Sequence, residues 1–226
     1  MVELRREHRD RLADLEDRLL TMGNQVLDMI DEAMAALGAH DQDRAAAVIR
    51  SDDRLDQQYQ EVQESVFTVL ALQSPVASEL RLLTAMLHIN IHLERMGDLC
   101  VNIGKFTQLV ENLLDDADLM AQLQEMGRHA HRTITRSMEA FARRDVVIAR
   151  QLPELDDPLD RLNKGLFLRL VKLAASDEER LDWAMRMVLV ARYLERLGDH
   201  AVDIGEQVIF AVTAETVELA SNSPVE

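Results

Sequence analysis

Two similar phrases in the sequence, LERMGDLCVNIG and LERLGDHAVDIG, each place a glutamate four residues before an aspartate. These acids are Glu94 and Asp98 in the first phrase and Glu195 and Asp199 in the second. If both phrases are helical, the two acids of each pair share one face, with Cβ atoms about 6 Å apart. Carboxylate oxygens at that spacing suit Mg, Ca, Mn or Fe better than a structural zinc ion. Each phrase is therefore a candidate metal-binding motif.

The acids are expected to interrupt apolar stripes on their helices. At 3.6 residues per turn, the side chains within about 20° of Glu94 and Glu195 are apolar; they are Leu83, Leu87 and Val101 in the first copy and Ala184, Val188 and Val202 in the second. An unpaired carboxylate buried in such a stripe is costly unless a cation, a hydrogen-bond partner or protonation compensates. Gly97 and Gly198 lie between the acids, where a glycine allows another group to approach the backbone closely.

Two further acidic pairs, Asp52/Asp56 and Asp156/Asp160, lie upstream of the two phrases. In each copy, the upstream pair and the pair of the phrase are equally far along the chain from a turn, near residue 75 in the first copy and near residue 177 in the second. In an antiparallel hairpin the two pairs would lie level. The sequence therefore predicts that four acids of each copy meet at one metal-binding site, with possible additional ligands at Asn102, Asp203, Asp53 and Asp157.

Two alternatives explain some of these acids without a metal. Arg192 lies three residues before Glu195 and could neutralise it, although the first copy has Ile91 at that position, so this cannot explain both copies. Asp157–Pro158 resembles the N-cap and first residue of a helix, where the helix dipole stabilises acids.

The histidines and the single cysteine are weaker candidates. His88 and His92 have a spacing that can bind metal, but their counterparts in the other copy are a leucine and a tyrosine, which favours surface or packing roles. His200 has a leucine as its counterpart, so we expect no ligand role shared by both copies. Cys100 lies in an apolar helix and is expected to be a small core residue.

The first half of the chain has the periodicity of three helices. From Leu12 to Ala33, apolar residues recur at alternating steps of three and four, as in helices that pack against neighbours. We predict a second helix from Asp41, interrupted or kinked near Ser51. Ser74, followed by a proline, is predicted to open a third helix that ends near residue 113.

The second half repeats this order. An amphipathic helix starts at Asp118, and the next segment, over residues 145–175, should be broken by Pro153 and Pro158. Ser176 and Glu179 read as a capping box for a last long helix that ends near residue 212. The fold class is therefore all-α, a tandem repeat of two three-helix bundles with six main helices. We place the repeats at residues 1–113 and 114–220, packed together, with a frayed tail at 221–226.

Composition limits the classes of partner. Asp and Glu number 41 against 25 Lys and Arg, giving a formal net charge of −16, which disfavours nucleic acid and anionic lipid. The chain has one cysteine, which excludes an internal disulfide. The N-terminal stretch MVELRREHRDRL lacks the apolar region of a signal peptide, and no stretch approaches the ~20 apolar residues of a membrane span. We expect a soluble, cytoplasmic protein.

The paired E-R-x-G-D-x-x-x-(N/D)-I phrases, at residues 94–103 and 195–204, resemble the repeated signature of the PhoU family. The upstream D-x-x-x-D pairs match that family's other acidic motif, and the resemblance covers nearly the whole chain. It implies tandem three-helix bundles, with acidic motifs that hold one cluster of metal ions (Fe, Mn, Mg or Zn) per repeat. The chain departs from the fuller motif at Leu99 and at Asn102, so the first site is expected to bind metal more weakly or with a different nuclearity.

The resemblance also implies a non-enzymatic function. The expected role is a metal-binding adaptor, a negative regulator of phosphate uptake and phosphate-starvation signalling. Such an adaptor would couple the ATPase of a phosphate ABC transporter to a sensor histidine kinase, as a cytoplasmic homodimer that neither binds nucleic acid nor inserts into the membrane. The other hypotheses are a carboxylate-bridged metalloenzyme and a metal-free structural helical bundle with salt-bridged acids.

Overall fold

The computed structural model of the chain describes residues 2–109, 116–176 and 180–219. Within these ranges the chain is helical and contains no strand. The first three helices are α1 (Val2–Ala39), α2 (Gln42–Gln73) and α3 (Ser78–Leu109), and the others are α4 (Ala117–Arg143), α5 (Val146–Arg150), α6 (Leu152–Ser176) and α7 (Leu181–Thr213). The all-α fold with six main helices is thus confirmed, and α5 is one additional short turn of helix.

The prolines of the second repeat have different effects. The predicted break near Pro153 is present, because Gln151 separates α5 from α6 and Pro153 is the second residue of α6. In the first turn of a helix a proline removes an amide that has no partner in any case. Pro158 does not break the helix, since it lies inside α6. The prediction that Asp157–Pro158 starts a helix is therefore wrong.

Three predicted helix boundaries also need correction. There is no interruption at Ser51, which lies inside α2. Ser74 ends α2 rather than opening α3: it is a left-handed C-cap with φ of 46°, followed by a proline that cannot continue the helix. Ser176 lies in the last turn of α6 and so opens no helix, and α7 follows Arg180, which makes no side-chain capping bond. Glu179 of the proposed capping box and the predicted end near residue 113 lie outside the described residues.

Aspartates fix three of the helix starts. Asp41, Asp116 and Asp145 each accept hydrogen bonds from backbone N–H groups in the first turn of α2, α4 and α5, respectively. These N–H groups have no partner within the helix, so each cap typically stabilises the fold by about 1 kcal/mol. The predicted start of the second helix at Asp41 is confirmed.

The two repeats share one core, as expected from the absence of a flexible linker sequence. Buried residues of both repeats, such as Leu19, Leu93, Ile134 and Leu194, belong to one hydrophobic cluster. Helix α3 of the first repeat contacts α7 of the second, and α1 contacts α4. The repeat boundaries predicted near residue 113 stay a prediction, and the predicted tail at 221–226 lies outside the described residues.

The contact between α1 and α4 has an approximate twofold symmetry. A Cβ atom added to Gly23 would lie 2.8 Å from Cε of Met138, and one added to Gly127 would lie 2.8 Å from Cγ of Met34. Each repeat therefore provides a glycine that receives the methionine of the other. Helix α3 likewise packs against its counterpart α7 in the other repeat. Within the described ranges, no helix has the length and apolar character that crossing a membrane requires.

Candidate metal centre

Three acids of the second repeat meet between α6 and α7. Asp156 and Asp160 lie one turn apart on α6, and Asp199 faces them from α7. Each offers a carboxylate oxygen, and the three oxygens all lie within 4.8 Å of one another. The hairpin geometry predicted from the equal chain distances therefore brings both acidic motifs of this repeat together. We call Asp156, Asp160 and Asp199 the acidic cluster.

Gly198 makes this approach possible. A Cβ atom at this position would overlap Oδ1 of Asp156 and would lie 2.8 Å from Cδ2 of Leu159. The Asp156 carboxylate thus rests against the backbone of α7, where the residue is only 2% exposed. The expectation that the glycine between the acids admits another group is confirmed in this repeat.

The acidic cluster and Glu195 together hold more negative charge than nearby basic groups compensate. Burial, together with Asp160, Asp199 and other nearby acids, raises the pKa of Asp156 to about 8. Burial and the Asp199 charge raise the pKa of Glu195 to about 7, against the opposing effect of Arg192. The pKa of Asp199 is also raised, by burial and by Asp160. At neutral pH, therefore, a proton or a cation must neutralise part of this charge.

Several oxygen atoms around the acidic cluster have no partner. Oδ1 of Asp156, Oδ1 of Asp157 and Oε2 of Glu195 are buried without a hydrogen bond in the described part of the chain. Buried acceptors normally have a partner, and one without a partner costs about 1–3 kcal/mol. Hard oxygen donors of this kind are the ligands that Mg, Mn and Ca prefer. The residues present therefore fit a bound cation.

Glu195 is held partly by an ion pair. Its Oε1 accepts a hydrogen bond from Arg192, while its Oε2 has no partner. The alternative that Arg192 neutralises Glu195 is thus correct for one oxygen. Glu195 is also not one of the three acids whose oxygens lie within 4.8 Å of one another. Its role as a metal ligand stays a prediction.

The acids of the first repeat are less closely assembled. Asp52 and Glu94 are half-buried, and Asp56 and Asp98 are exposed. Within the described ranges, these four acids do not form a group of three ligand atoms within 4.8 Å. Burial and the charges of Asp56 and Asp98 raise the pKa of Asp52 to about 6, and burial also raises the pKa of Glu94. The charges are coupled, but the oxygens do not converge as in the acidic cluster.

The difference between the repeats arises at the glycine. A Cβ atom on Gly97 would overlap Cδ2 of Leu55, while Oδ1 of Asp52 would be 3.6 Å away. In the first repeat the leucine fills the space that Asp156 occupies in the second. The expectation that all the acids interrupt buried stripes is also corrected, because Asp199, like two acids of the first repeat, is exposed. Among the possible additional ligands, Asn102, Asp157 and Asp203 are half-buried, whereas Asp53 is exposed.

Asp203 lies with two histidines that were not expected to act together. His92 Nδ1 and His200 Nδ1 are 3.3 Å apart, and each is within 3.4 Å of Asp203 Oδ2. His200 is 7% exposed, and burial lowers the pKa of His92 to about 4. Comparison of the copies concealed this group, since the two histidines are not at equivalent positions. Only the crossing of α3 and α7 brings them together.

Two other residues have the environments that the sequence analysis predicted. His88 is exposed, in agreement with the predicted surface role. Cys100 is fully buried, and burial raises the pKa of its thiol to about 12. Since the thiolate is the reactive form, this cysteine is an inert core residue.

Comparison with known proteins identifies the family. The family model described as the PhoU domain matches twice, at residues 19–107 and 123–208. The chain is 30% identical over 209 residues to the phosphate-specific transport system accessory protein PhoU homolog of Clostridium acetobutylicum, covering 92% of this chain and 95% of that protein. A homolog of the same name from Caulobacter vibrioides is 30% identical over 95% of this chain and 93% of its own length.

Solved structures agree with this assignment. The crystal structure of PhoU from Pseudomonas aeruginosa superposes with a TM-score of 0.87 at 28% identity, covering 92% of this chain and 99% of that one. The phosphate transport system regulatory protein PhoU from Streptococcus pneumoniae gives a TM-score of 0.86 at 27% identity, with coverage of 94% and 100%. The motifs, the two domain matches and these likenesses across the whole fold lead to one conclusion: the chain belongs to the PhoU family.

Proposed function

We propose that this protein is a negative regulator of phosphate uptake and phosphate-starvation signalling. The observation that carries this proposal is the match of the PhoU domain to both repeats. Relatives that align with more than nine tenths of the chain are named as accessory proteins of phosphate-specific transport systems. The likeness extends over nearly the whole length of each relative, so it concerns the complete accessory protein rather than one shared domain.

The proposed mechanism is docking to other proteins in the cytoplasm, without catalysis. The partners would be the ATPase of a phosphate ABC transporter and a sensor histidine kinase, and the adaptor would act as a homodimer. Bringing transporter and kinase together would keep the kinase response off while phosphate is plentiful. The chain has 41 acidic and 25 basic residues, and this negative charge favours partners other than nucleic acid or anionic lipid.

Metal ions would support this function by holding the hairpins together. In the second repeat, Asp156, Asp160 and Asp199 would bind the ion. Glu195 and Asp157 each have a buried oxygen atom without a hydrogen-bond partner in the described part of the chain and are candidate further ligands. When bound, the ion supplies the positive charge that allows α6 and α7 to bring carboxylates together. In the first repeat, Asp52, Asp56, Glu94 and Asp98 would form the corresponding site. Iron, manganese, magnesium and zinc are the candidate ions.

Deletion of the gene tests the regulatory role. In phosphate-rich medium the deletion should raise transcription from phosphate-starvation promoters, and a plasmid copy of the gene should restore repression. Unchanged transcription in a strain without a second copy of such a gene would contradict the proposal.

A second comparison tests the contribution of the acidic cluster. Complementation with Asp160→Asn/Asp199→Asn should restore repression poorly, whereas the exposed Asp28→Asn should act as wild type. Full repression by the double variant would separate regulation from metal binding. Hydrolytic or oxidative turnover by metal-loaded protein that is lost in Asp199→Ala would instead support the metalloenzyme hypothesis.

A further inference from the structure

A second group of ligand atoms lies where the two repeats meet. His92 belongs to α3 of the first repeat, and His200 and Asp203 belong to α7 of the second. His92 Nδ1 and His200 Nδ1 are 3.3 Å apart, and Asp203 Oδ2 lies 3.4 Å from the first nitrogen and 3.3 Å from the second. Three potential ligand atoms thus form a nearly equilateral triangle, which we call the His–His–Asp triangle.

The size of the triangle fits a tetrahedral ion. Zinc binds histidine nitrogen at about 2.0–2.1 Å in tetrahedral geometry, which places neighbouring ligand atoms about 3.3–3.4 Å apart. Octahedral magnesium at about the same ligand distance would place them closer, at about 3 Å. All three sides of the triangle agree with the tetrahedral value, and two nitrogen donors with one carboxylate are a common zinc-class ligand set.

Hydrogen bonds alone satisfy the triangle poorly. If both histidines carry the proton on Nδ1, each can donate to Asp203, but the two N–H groups then face each other. If one Nδ1 is unprotonated, it faces the carboxylate as a second acceptor. One of the three contacts is therefore unfavourable in either tautomer. A cation at the centre of the triangle would instead bind the lone pairs of all three atoms.

Burial would also favour a fixed site. The side chains of His92 and His200 are 14% and 9% exposed, whereas that of Asp203 is 40% exposed. The imidazole rings are thus held by the core, with centroids 5.3 Å apart and an interplanar angle of 52°. The exposed side at Asp203 leaves room for water as a fourth ligand.

We propose that His92, His200 and Asp203 form a tetrahedral site for a zinc-class divalent ion that joins the first repeat to the second. This site is distinct from the acidic cluster, which uses oxygen ligands and joins two helices of one repeat. It also does not depend on the proposed regulatory function. Because its ligands come from both repeats, an ion bound there stabilises the packing of α3 on α7.

The test uses the full-length protein, stripped of metal with a chelator and titrated with Co²⁺. Tetrahedral Co²⁺ absorbs strongly in the visible range, whereas octahedral Co²⁺ absorbs weakly, so the spectrum reports geometry as well as binding. Zn²⁺ should then displace the cobalt and remove the absorption. The same titrations in the Asp160→Asn/Asp199→Asn variant remove the contribution of the acidic cluster.

Two ligand variants and one matched control complete the test. His92→Gln and His200→Leu should each weaken Co²⁺ binding at this site at least tenfold and abolish the tetrahedral spectrum. Leucine is the residue that the first repeat has at the position equivalent to 200, and circular dichroism checks that both variants fold. His88→Gln changes an exposed histidine one turn away on α3 and should bind as wild type.

Three outcomes would overturn the proposal. The first is a wild-type spectrum that shows only octahedral Co²⁺ at saturation, and the second is a tetrahedral spectrum that persists in a folded His92→Gln variant. The third is loss of the tetrahedral spectrum in the acidic-cluster variant alone, which would assign the signal to Asp160 and Asp199. Failure of the acidic cluster to bind metal would leave the His–His–Asp triangle unaffected, so the two sites are judged separately.

Discussion

Neutralising Asp156 should have opposite effects on the metal-free and the metal-bound protein. Asp156 is 2% exposed, and burial with the nearby acids raises its pKa from 3.8 to about 8. Between these values the native state holds a proton that the unfolded state has lost. The native state therefore binds more protons, and its stability falls as the pH rises through this window.

The magnitude follows from the width of the window. One proton bound by the native state alone costs about 1.4 kcal/mol of unfolding free energy per pH unit. From pH 5 to pH 7, Asp156 alone should lower the stability of metal-free wild-type protein by about 3 kcal/mol. Asp156→Asn carries no such proton, so its loss of stability over that range should be about 3 kcal/mol smaller than that of the wild-type protein. Comparing each variant with itself at two pH values cancels the direct effect of the substitution.

Urea denaturation with chelator present, at pH 5 and pH 7, measures this difference. Asp28→Asn, at an exposed position on α1, should keep the wild-type pH dependence. Adding Mn²⁺ at pH 7 should stabilise the wild-type protein by RT ln(1 + [L]/Kd), about 4 kcal/mol at 1,000 times Kd, and Asp156→Asn much less. Equal pH dependence in wild type and Asp156→Asn would refute the account of the buried charge.

Three further variants test the packing of the helices. Gly198→Ala should displace Asp156, because the new Cβ would overlap its Oδ1, so that metal affinity measured by calorimetry falls at least tenfold. Gly165→Ala, where an added Cβ meets nothing within 4 Å, should instead raise stability by up to about 1 kcal/mol; a loss of stability there would contradict the open surroundings. Asn90→Ala should lower the unfolding free energy by about 1 kcal/mol, since buried Asn90 donates to the carbonyl of Tyr59 at 2.9 Å, and an unchanged urea midpoint would argue against that bond.

Most of the fold could be predicted from the sequence because helical periodicity is a local property. The apolar spacing along α1 and α4 and the recurrence of the acidic motifs predicted six main helices in two repeats. The predicted helix boundaries were wrong where one residue type can occur in two structural contexts. Ser74 before a proline reads as a helix start, yet it takes a left-handed conformation that ends α2, and Pro158 is accommodated inside α6.

The site could be predicted only in part, because a helical wheel gives the direction of a side chain but not what faces it. Equal chain distances from the turn correctly brought Asp156 and Asp160 to Asp199. They could not show that Leu55 fills the space beside Gly97 in the first repeat. The triangle formed by His92, His200 and Asp203 depends on how two repeats cross, which no alignment of one copy with the other contains.

The most direct test of the central claim is the metal content of the purified protein. Elemental analysis should compare the wild-type chain with Asp160→Asn/Asp199→Asn, both purified without chelator and dialysed against metal-free buffer. If the acidic cluster holds an ion, the wild-type protein should contain stoichiometric metal and the double variant at least one ion per chain less. Equal metal content in the two proteins, or wild-type protein without metal, would contradict the claim.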